Sequence, residues 1–152
     1  MQVNIDHFTM KDYEKVIALW RSSEGIGISG ADSKDSMEAY LKRNPEMSFV
    51  ADYKNEIIGA VLCGHDGRRG YLHHLAVHPD FRNQGIGRAL VEKCILALQS
   101  IGIEKCHLFI FNTNEKARRF WEKIGWTSRE DIGVISKQIQ QPDFKNLHDS
   151  AR

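Results

Sequence analysis

The stretch HPDFRNQGIGRAL, residues 78–90, places two glycines at the entrance to an apolar-periodic helix, and this feature constrains the chain most. Arg82 is followed at three-residue spacing by Gly85 and then, after one intervening residue, by Gly87. Glycine costs about 1 kcal/mol relative to alanine inside a helix. The two glycines therefore indicate a turn that needs unusual backbone angles, or that lets another group come close to bare backbone.

Three interpretations of this turn follow from its residues. The free N–H groups at a helix start form an anion site, and glycines let a phosphate reach the backbone. A P-loop is excluded because no Gly-Lys-Ser/Thr sequence follows. A dinucleotide-binding turn is weakly supported, because the third glycine is missing and Pro79 separates the turn from the preceding strand. A tight turn without a ligand stays open.

Composition predicts an ordinary globular protein. The 152 residues suffice for one domain with a continuous core, and a net charge of +1 creates no field that would attract nucleic acid or an anionic membrane. No apolar run approaches the roughly 18 residues of a membrane span, and the N-terminus lacks a signal-peptide pattern. Three cysteines without paired spacing, and no His-x-x-x-His pair on a predicted helix, argue against disulfides and a metal site. We therefore expect a cytoplasmic protein without a metal.

The order of predicted elements is that of a mixed α/β domain. Apolar alternation or apolar runs predict strands in VNIDHF, MSFVADY, EIIGAVLCGH, YLHHLAV, KCHLFIF and VISKQI. Helical periodicity predicts helices in YEKVIALW, SMEAYLKR, the run that follows the two glycines, and NEKARRFWEKIG. A glycine-rich loop, residues 22–33, lies between the first two helices. We expect one domain over residues 1–140 and a loosely ordered tail over residues 141–152.

The strand YLHHLAV carries two adjacent histidines. Strict alternation would place Tyr71, His73, Leu75 and Val77 on one face of the strand. His74 would then point to the opposite face, where a packing role is expected.

Two motifs together resemble one known family. The stretch LAVHPDFRNQGIGRAL resembles the pyrophosphate-binding motif of the GNAT superfamily, the acetyl-CoA-dependent N-acyltransferases. The stretch NEKARRFWEKIGW resembles the Asn-x-x-Ala helix of the same family, and the order of predicted elements agrees from residue 2 to about residue 139. The resemblance implies an α/β (α+β) fold with a mixed, mostly antiparallel central sheet flanked by helices.

The resemblance also implies a binding mode for acetyl-CoA. Backbone N–H groups of the glycine turn would wrap the pyrophosphate, with Arg82 ordering the turn or reaching a phosphate. The end of the preceding strand would pair with the pantetheine arm, and an N–H near Val77 would polarise the thioester oxygen. Asn114 would cap the last helix and bind the pantetheine. The small side chain of Ala117 would leave space on that helix beside the thiol end. The implied cofactor-binding set is Leu75, Ala76, Val77, Arg82, Asn83, Gln84, Gly85, Ile86, Gly87, Arg88, Asn114, Ala117 and Trp121.

The implied chemistry is attack of an amine on a thioester. The amine arrives as an ammonium, so a base that works near neutral pH assists. His73 is the first candidate base, since alternation places it on the face of Leu75, and a structural strand histidine is the alternative. Glu24, in the glycine-rich loop, would attract a cationic acceptor unless it is simply a solvated carboxylate. Tyr71, on the face predicted for His73, is assigned with Glu24 to the acceptor side.

Trp121 departs from the family pattern, which commonly has a tyrosine here that protonates the departing thiolate. An indole N–H only donates, so it cannot act as a general acid, and the general acid is unassigned. Trp121 either hydrogen-bonds the sulfur or packs. Two functions remain: an N-acetyltransferase for a small-molecule or protein amine, or a non-catalytic acyl-CoA-binding or sensing module. Dimers are common in the family, so a homodimer is also allowed.

Overall fold

The computed structural model describes residues 2–140, which form a five-stranded sheet with helices on both faces. The sheet order follows the chain, with β1–β4 antiparallel and β5 parallel to β4. This confirms the predicted mixed, mostly antiparallel sheet flanked by helices. The strands are β1 (Asn4–His7), β2 (Phe49–Tyr53), β3 (Glu56–His65), β4 (Gly70–Val77) and β5 (Cys106–His107). The helices are α1 (Tyr13–Arg21), α2 (Lys34–Arg43), α3 (Ile86–Ser100) and α4 (Glu115–Lys123).

The hydrophobic core is divided by the sheet into two clusters. Helices α1 and α2 cover one face, where Trp20 and Met37 are fully buried against Leu62. Helices α3 and α4 cover the other face, where Leu90 and Trp121 are buried. Adjacent residues of β3 alternate between the two clusters, as expected for a strand covered on both sides.

A β-bulge interrupts β4 at the two histidines. Leu62 of β3 pairs with His73, whereas Ala60 pairs with Ala76, so β4 has one residue more than β3 over this interval. His74 adopts a left-handed backbone with φ of 56°. This region is uncommon for residues other than glycine, although histidine is among those enriched in it.

The bulge makes the predicted alternation of β4 wrong. The ring of His73 lies edge-on to Tyr40 of α2, at 6.3 Å between centroids, and the ring of His74 lies edge-on to Trp20 of α1, at 4.9 Å. Both histidines therefore face α1 and α2. Leu75 and Val77 pack in the α3 and α4 cluster instead, because the extra residue moves the rest of the strand to the opposite alternation.

Two predicted strands differ in the structure. Of KCHLFIF, only Cys106–His107 forms a strand, because the backbone leaves β4 after His107. VISKQI forms no strand within the described part of the chain, and residues 129–140 are exposed. The predicted tail, residues 141–152, lies outside the described residues. No helix within residues 2–140 has the length and apolar character needed to cross a membrane.

Candidate active site

A cleft of about 460 Å³ opens where β5 diverges from β4. The two strands pair only at Gly70 with Cys106 and at Tyr71 with His107, so the sheet splits beyond these pairs. Its walls come from the glycine-rich loop, from β4, from the segment after β5 and from α4. The lining residues are 24–29, 72–75 and 108–111, with Asn114, Ala117 and Trp121.

The end of β4 presents unpaired backbone groups to this opening. The N–H of His78 donates to the carbonyl of Ile58 in β3 at 2.7 Å, and Ala76 pairs with Ala60 of the same strand. Since backbone groups of successive residues point to opposite sides of a strand, those of Val77 point away from β3. Arg82 Nε donates to the Val77 carbonyl at 2.9 Å, and the Val77 N–H lies on the same side of β4, away from β3.

The turn before α3 combines left-handed backbone with free helix N–H groups. Asn83 has φ of 61°, and Gly85, the residue that caps α3, has φ of 80°. A Cβ built on Gly85 meets no protein atom within 4 Å, so the backbone angle, rather than a protein neighbour, requires glycine. The first turn of α3 carries no acidic side chain, and its N–H groups lack partners within the helix. The turn therefore has the chemistry of an anion site.

Gly87 has a different requirement. A Cβ at this position would lie 3.3 Å from Cζ of Phe120 and 3.7 Å from Cγ2 of Val77. The glycine therefore lets α3 approach α4 and β4, and the space that a side chain would fill is taken by protein atoms. The sequence-based reason given for Gly87, room for a ligand phosphate, thus fits Gly85 better.

Helix α4 closes one end of the cleft. Asn114 Oδ1 accepts the Ala117 N–H at 3.0 Å, which confirms the predicted cap. A Cβ on Gly25 would lie only 2.8 Å from Asn114 Nδ2, so a glycine at this point lets the glycine-rich loop approach the start of α4. Trp121 lines the cleft but is only 9% exposed, and its ring packs edge-on against Trp126 with centroids 4.9 Å apart.

The other end of the cleft carries the titratable groups. His74 Nε2 lies 3.1 and 3.2 Å from the two carboxylate oxygens of Asp32, which is 4% exposed. His73 also lines the cleft, and burial, followed by the neighbouring His74, lowers its pKa below the ordinary value. Glu24 lies on the exposed rim, whereas Tyr71 is not a lining residue and stacks on Phe109.

Sequence reasoning missed Asp32 and the role of its loop. Asp32 is 42 positions from His74 in the chain, so no local spacing connects them. The available signal was Ser29-x-x-Asp32, a helix-start pattern in which Asp32 Oδ2 accepts the Ser29 N–H at 3.1 Å. Such a pattern predicts a fixed turn, but it does not indicate what lies across the cleft.

Within residues 2–140, no group of three or more His, Cys, Asp or Glu side chains is placed to hold a metal ion. Cys63 and Cys94 are buried free thiols, and Cys106 is a partly buried one.

Known proteins resemble this chain in sequence over most of its length. The profile of the "Acetyltransferase (GNAT) family" matches residues 13–126. An acetyltransferase of Pectobacterium atrosepticum is 31% identical, with 95% of this chain and 100% of that protein covered. An acetyltransferase of Photorhabdus laumondii is 32% identical, with 87% and 92% covered. The chain belongs to the GNAT acetyltransferase family.

Solved structures share the fold at low sequence identity. The PaiA N-acetyltransferase of Thermoplasma acidophilum, solved in complex with coenzyme A, has a TM-score of 0.77 at 20% identity, with 88% of this chain and 94% of that chain covered. The aminoglycoside acetyltransferase AAC(6')-Iy, solved with a CoA-linked bisubstrate analogue of an acetylneamine, has a TM-score of 0.74 at 17% identity, with 91% and 100% covered. These likenesses agree with the overall fold described above.

Proposed function

We propose that this acetyltransferase moves an acetyl group from acetyl-CoA to a primary amine by direct attack of the amine on the thioester. The observation that carries the proposal is the split between β4 and β5, which has an anion-binding turn at one end and a histidine–carboxylate pair within the cleft. Acetyl-CoA supplies the activated acyl group. The chain supplies binding, orientation and a proton acceptor.

The glycine turn is proposed to bind the pyrophosphate through the N–H groups of residues 84–88. The left-handed Gly85, the open space around it and the absence of acidic side chains in the first turn of α3 support this assignment. Arg82 is proposed to order the turn, since its guanidinium donates to the Val77 carbonyl at 2.9 Å. Arg88 adds positive charge at the helix start, although Glu92 lies 3.2 Å from it.

The pantetheine arm is proposed to lie along the open edge of β4. The Val77 N–H points away from β3, toward the open edge of β4, and is the proposed donor to the thioester oxygen. Leu75 has the same alternation as Val77, so its backbone is the second group available for strand-like pairing. Ala76 lies between Leu75 and Val77. Its own backbone groups are not available to the pantetheine, because they pair with β3. Asn114 and Ala117 line the far side of the cleft.

The acceptor is proposed to be a cationic amine that enters from the side of the glycine-rich loop. Glu24 on the rim and Asp32 in the interior give this end of the cleft negative charge, which favours an ammonium. A small-molecule amine is supported by AAC(6')-Iy, which was solved with an acetylneamine on its bisubstrate analogue. Tyr71 does not line the cleft, so it is not proposed as an acceptor contact.

Trp121 is proposed to shape the acyl pocket rather than to deliver a proton. Its ring is wedged between Phe120 and Trp126, at centroid distances of 5.2 and 4.9 Å. A thiol with a pKa of about 8.5 leaves as a tolerable thiolate, so a dedicated acid is not required. Because Trp121 stands where the family commonly has a tyrosine, a non-catalytic acyl-CoA-binding or sensing module is the second candidate function.

Turnover separates the two candidates. The purified protein is mixed with acetyl-CoA and a panel of polyamines, amino acids, aminoglycosides and peptide amines, and free thiol release is measured. Amine-dependent thiol release, with a matching mass increase of the acceptor, is expected. Tight acetyl-CoA binding without release for any amine of the panel would favour the binding module.

The protein is also proposed to act in the cytoplasm as a homodimer. Its cysteines are free thiols, as is usual in a reducing compartment. The segment 132–139 exposes four large apolar side chains, with Ile135 at 99% and Ile139 at 87% exposure. Residues 108–111 also lack strand pairing within the described chain. A second copy related by twofold symmetry would cover segment 132–139 and residues 108–111 in each subunit.

A further inference from the structure

We infer that Asp32 and His74 act as a unit in the cleft: Asp32 holds Nε2 of His74, and Nδ1 of His74 accepts the proton from the acceptor amine. The inference rests on the proposed acetyltransfer and names the base that this reaction uses. It replaces His73, the base expected from strand alternation, because the bulge in β4 removes the alternation on which that expectation depends.

The contact between the two side chains fixes the chemistry of the imidazole. Both carboxylate oxygens of Asp32 lie near Nε2, at 3.1 and 3.2 Å. A carboxylate only accepts, so the neutral ring places its proton on Nε2 and leaves Nδ1 with a free lone pair. Because His74 lines the cleft, Nδ1 is the nitrogen that a bound amine can meet.

Asp32 is held by the chain on three sides. Its Oδ2 accepts the Ser29 N–H at 3.1 Å, and its carbonyl accepts the Tyr13 hydroxyl at 2.6 Å. Ser33, the next residue, caps α2 by accepting the Ser36 N–H at 3.2 Å. With 4% of its surface exposed, Asp32 has little freedom to turn away from His74.

His74 is held as firmly. Its ring packs edge-on against Trp20, which is fully buried in the core beneath α1. Its left-handed backbone, with φ of 56°, turns the side chain toward α1 at a point where an unbroken strand would direct it to α3. The bulge therefore brings both histidines into the same half of the cleft.

The proton and electron pairs balance in the proposed step. The acceptor ammonium gives one proton to Nδ1 of His74, and the freed amine lone pair forms a bond to the thioester carbonyl carbon. The carbon–sulfur bond breaks, and the sulfur leaves as a thiolate with that electron pair. The new amide nitrogen then loses its second proton to the thiolate, and the proton on His74 passes to solvent.

Three titratable side chains surround His74 in this half of the cleft: Asp32, His73 and Glu24. Asp32 faces His74 from the turn before α2 and stabilises the imidazolium, as the carboxylate does in a Ser-His-Asp triad. His73 faces the same space from β4, beside the Tyr40 hydroxyl of α2, and burial and His74 both lower its pKa. Glu24 is the further acidic residue lining the cleft.

The chain offers a matched control for a test of Asp32. Asp12 occupies the equivalent position of a second short turn, where its Oδ2 accepts the Thr9 N–H at 3.1 Å, as Asp32 does for Ser29. No histidine contacts Asp12 within the described residues. Asp32→Asn and Asp12→Asn therefore make the same change to a short turn, and only Asp32→Asn alters a contact with His74.

The test measures kcat against pH for wild type, Asp32→Asn, Asp12→Asn, His74→Gln and His73→Gln, with the best amine of the panel. Asp32→Asn and His74→Gln should each lower kcat by about 10²-fold or more at every pH tested, because the first removes the carboxylate that holds the imidazole and the second removes the base itself. Asp12→Asn should match wild type, and acetyl-CoA affinity should persist in all variants. A larger loss in His73→Gln than in His74→Gln, or equal profiles for the two aspartate variants, would overturn the inference.

A second readout is independent of turnover. In ¹⁵N spectra of the wild-type protein near neutral pH, His74 should show a protonated Nε2 and an unprotonated Nδ1, and Asp32→Asn should change this distribution. A protonated Nδ1 in the neutral ring would exclude the proposed base. Absence of acetylation by wild type would count against the proposed function, whereas retained turnover in Asp32→Asn would count against the pair alone.

Discussion

At the scale of single residues, His73 is governed by its surroundings more than by its position in the strand. It is half-buried beside Tyr40, and burial, followed by the adjacent His74, lowers its pKa below the ordinary value of about 6.5, while Asp32 acts in the opposite direction. The folded protein therefore binds a proton at His73 less readily than the unfolded chain does.

This difference predicts how stability depends on pH. The unfolded chain binds more protons than the folded one between the lowered pKa of His73 and about 6.5, so the stability that neutral His73 provides is complete above that window and is lost as pH falls through it. His73→Gln should lose less unfolding free energy than wild type when the pH falls from 7 to 5, as measured by urea denaturation. His7→Gln, at an exposed position of β1, is the control and should follow wild type. Parallel curves for wild type and His73→Gln would contradict this prediction.

The two histidines also mark a limit of sequence reasoning at this scale. Alternation along YLHHLAV is a sound expectation for a regular strand, yet one extra residue reverses it from His74 onward. Nothing in the adjacent letters signals the bulge, since histidine is common in regular strands as well. The partner Asp32 is distant in the chain, and only the folded sheet brings it to His74.

At the scale of elements, the start of α3 should bind the anionic end of coenzyme A. Gly85→Ala introduces a side chain at φ of 80°, in the open space at the helix start, and should weaken acetyl-CoA binding at least tenfold by calorimetry. The strain of the left-handed backbone, about 1–2 kcal/mol, should also lower the melting temperature.

Gly102 provides the matched control for this variant. It lies just after the other end of α3, with φ of 83° and no atom within 4 Å of an added Cβ. Gly102→Ala therefore introduces a similar strain on the same helix, away from the proposed phosphate site. Equal losses of affinity in the two variants would assign the effect to helix stability and remove the anion-site assignment.

Elements defined by local chemistry could be predicted, and elements defined by a partner could not. The left-handed backbone at Gly85 and the Asn114 cap are encoded by residues a few positions apart, so both are predictable from the sequence. The strand predicted in KCHLFIF is apolar enough, but only Cys106–His107 finds a partner because the backbone then leaves β4. VISKQI also lacks a partner strand. Its pattern permits a strand, but no strand edge within the described residues pairs with it.

At the scale of the whole molecule, the exposed segment near the end of the described chain predicts association. Sedimentation equilibrium should give twice the chain mass of 17.4 kDa. Ile135→Lys should give the single-chain mass with an unchanged melting temperature at low concentration, because Ile135 is 99% exposed within one chain. Leu96→Lys, on α3 at 60% exposure, is the control for an apolar surface residue elsewhere and should remain dimeric. A single-chain mass for the wild-type protein would refute the proposed dimer.

The split between β4 and β5 has a consequence for the protein's life in the cell. Because β4 and β5 pair at only two positions, backbone donors beyond them, such as the Val77 N–H, have no partner on the β5 side. A pantetheine arm in that gap would pair with β4 in place of the strand that β5 does not extend. Any molecule that binds only the folded form adds about 1.4 kcal/mol of stability for each tenfold rise in its concentration above the dissociation constant. Cells rich in acetyl-CoA would thus keep more of this enzyme folded and protected from proteolysis, so the supply of its co-substrate also governs how long each copy lasts.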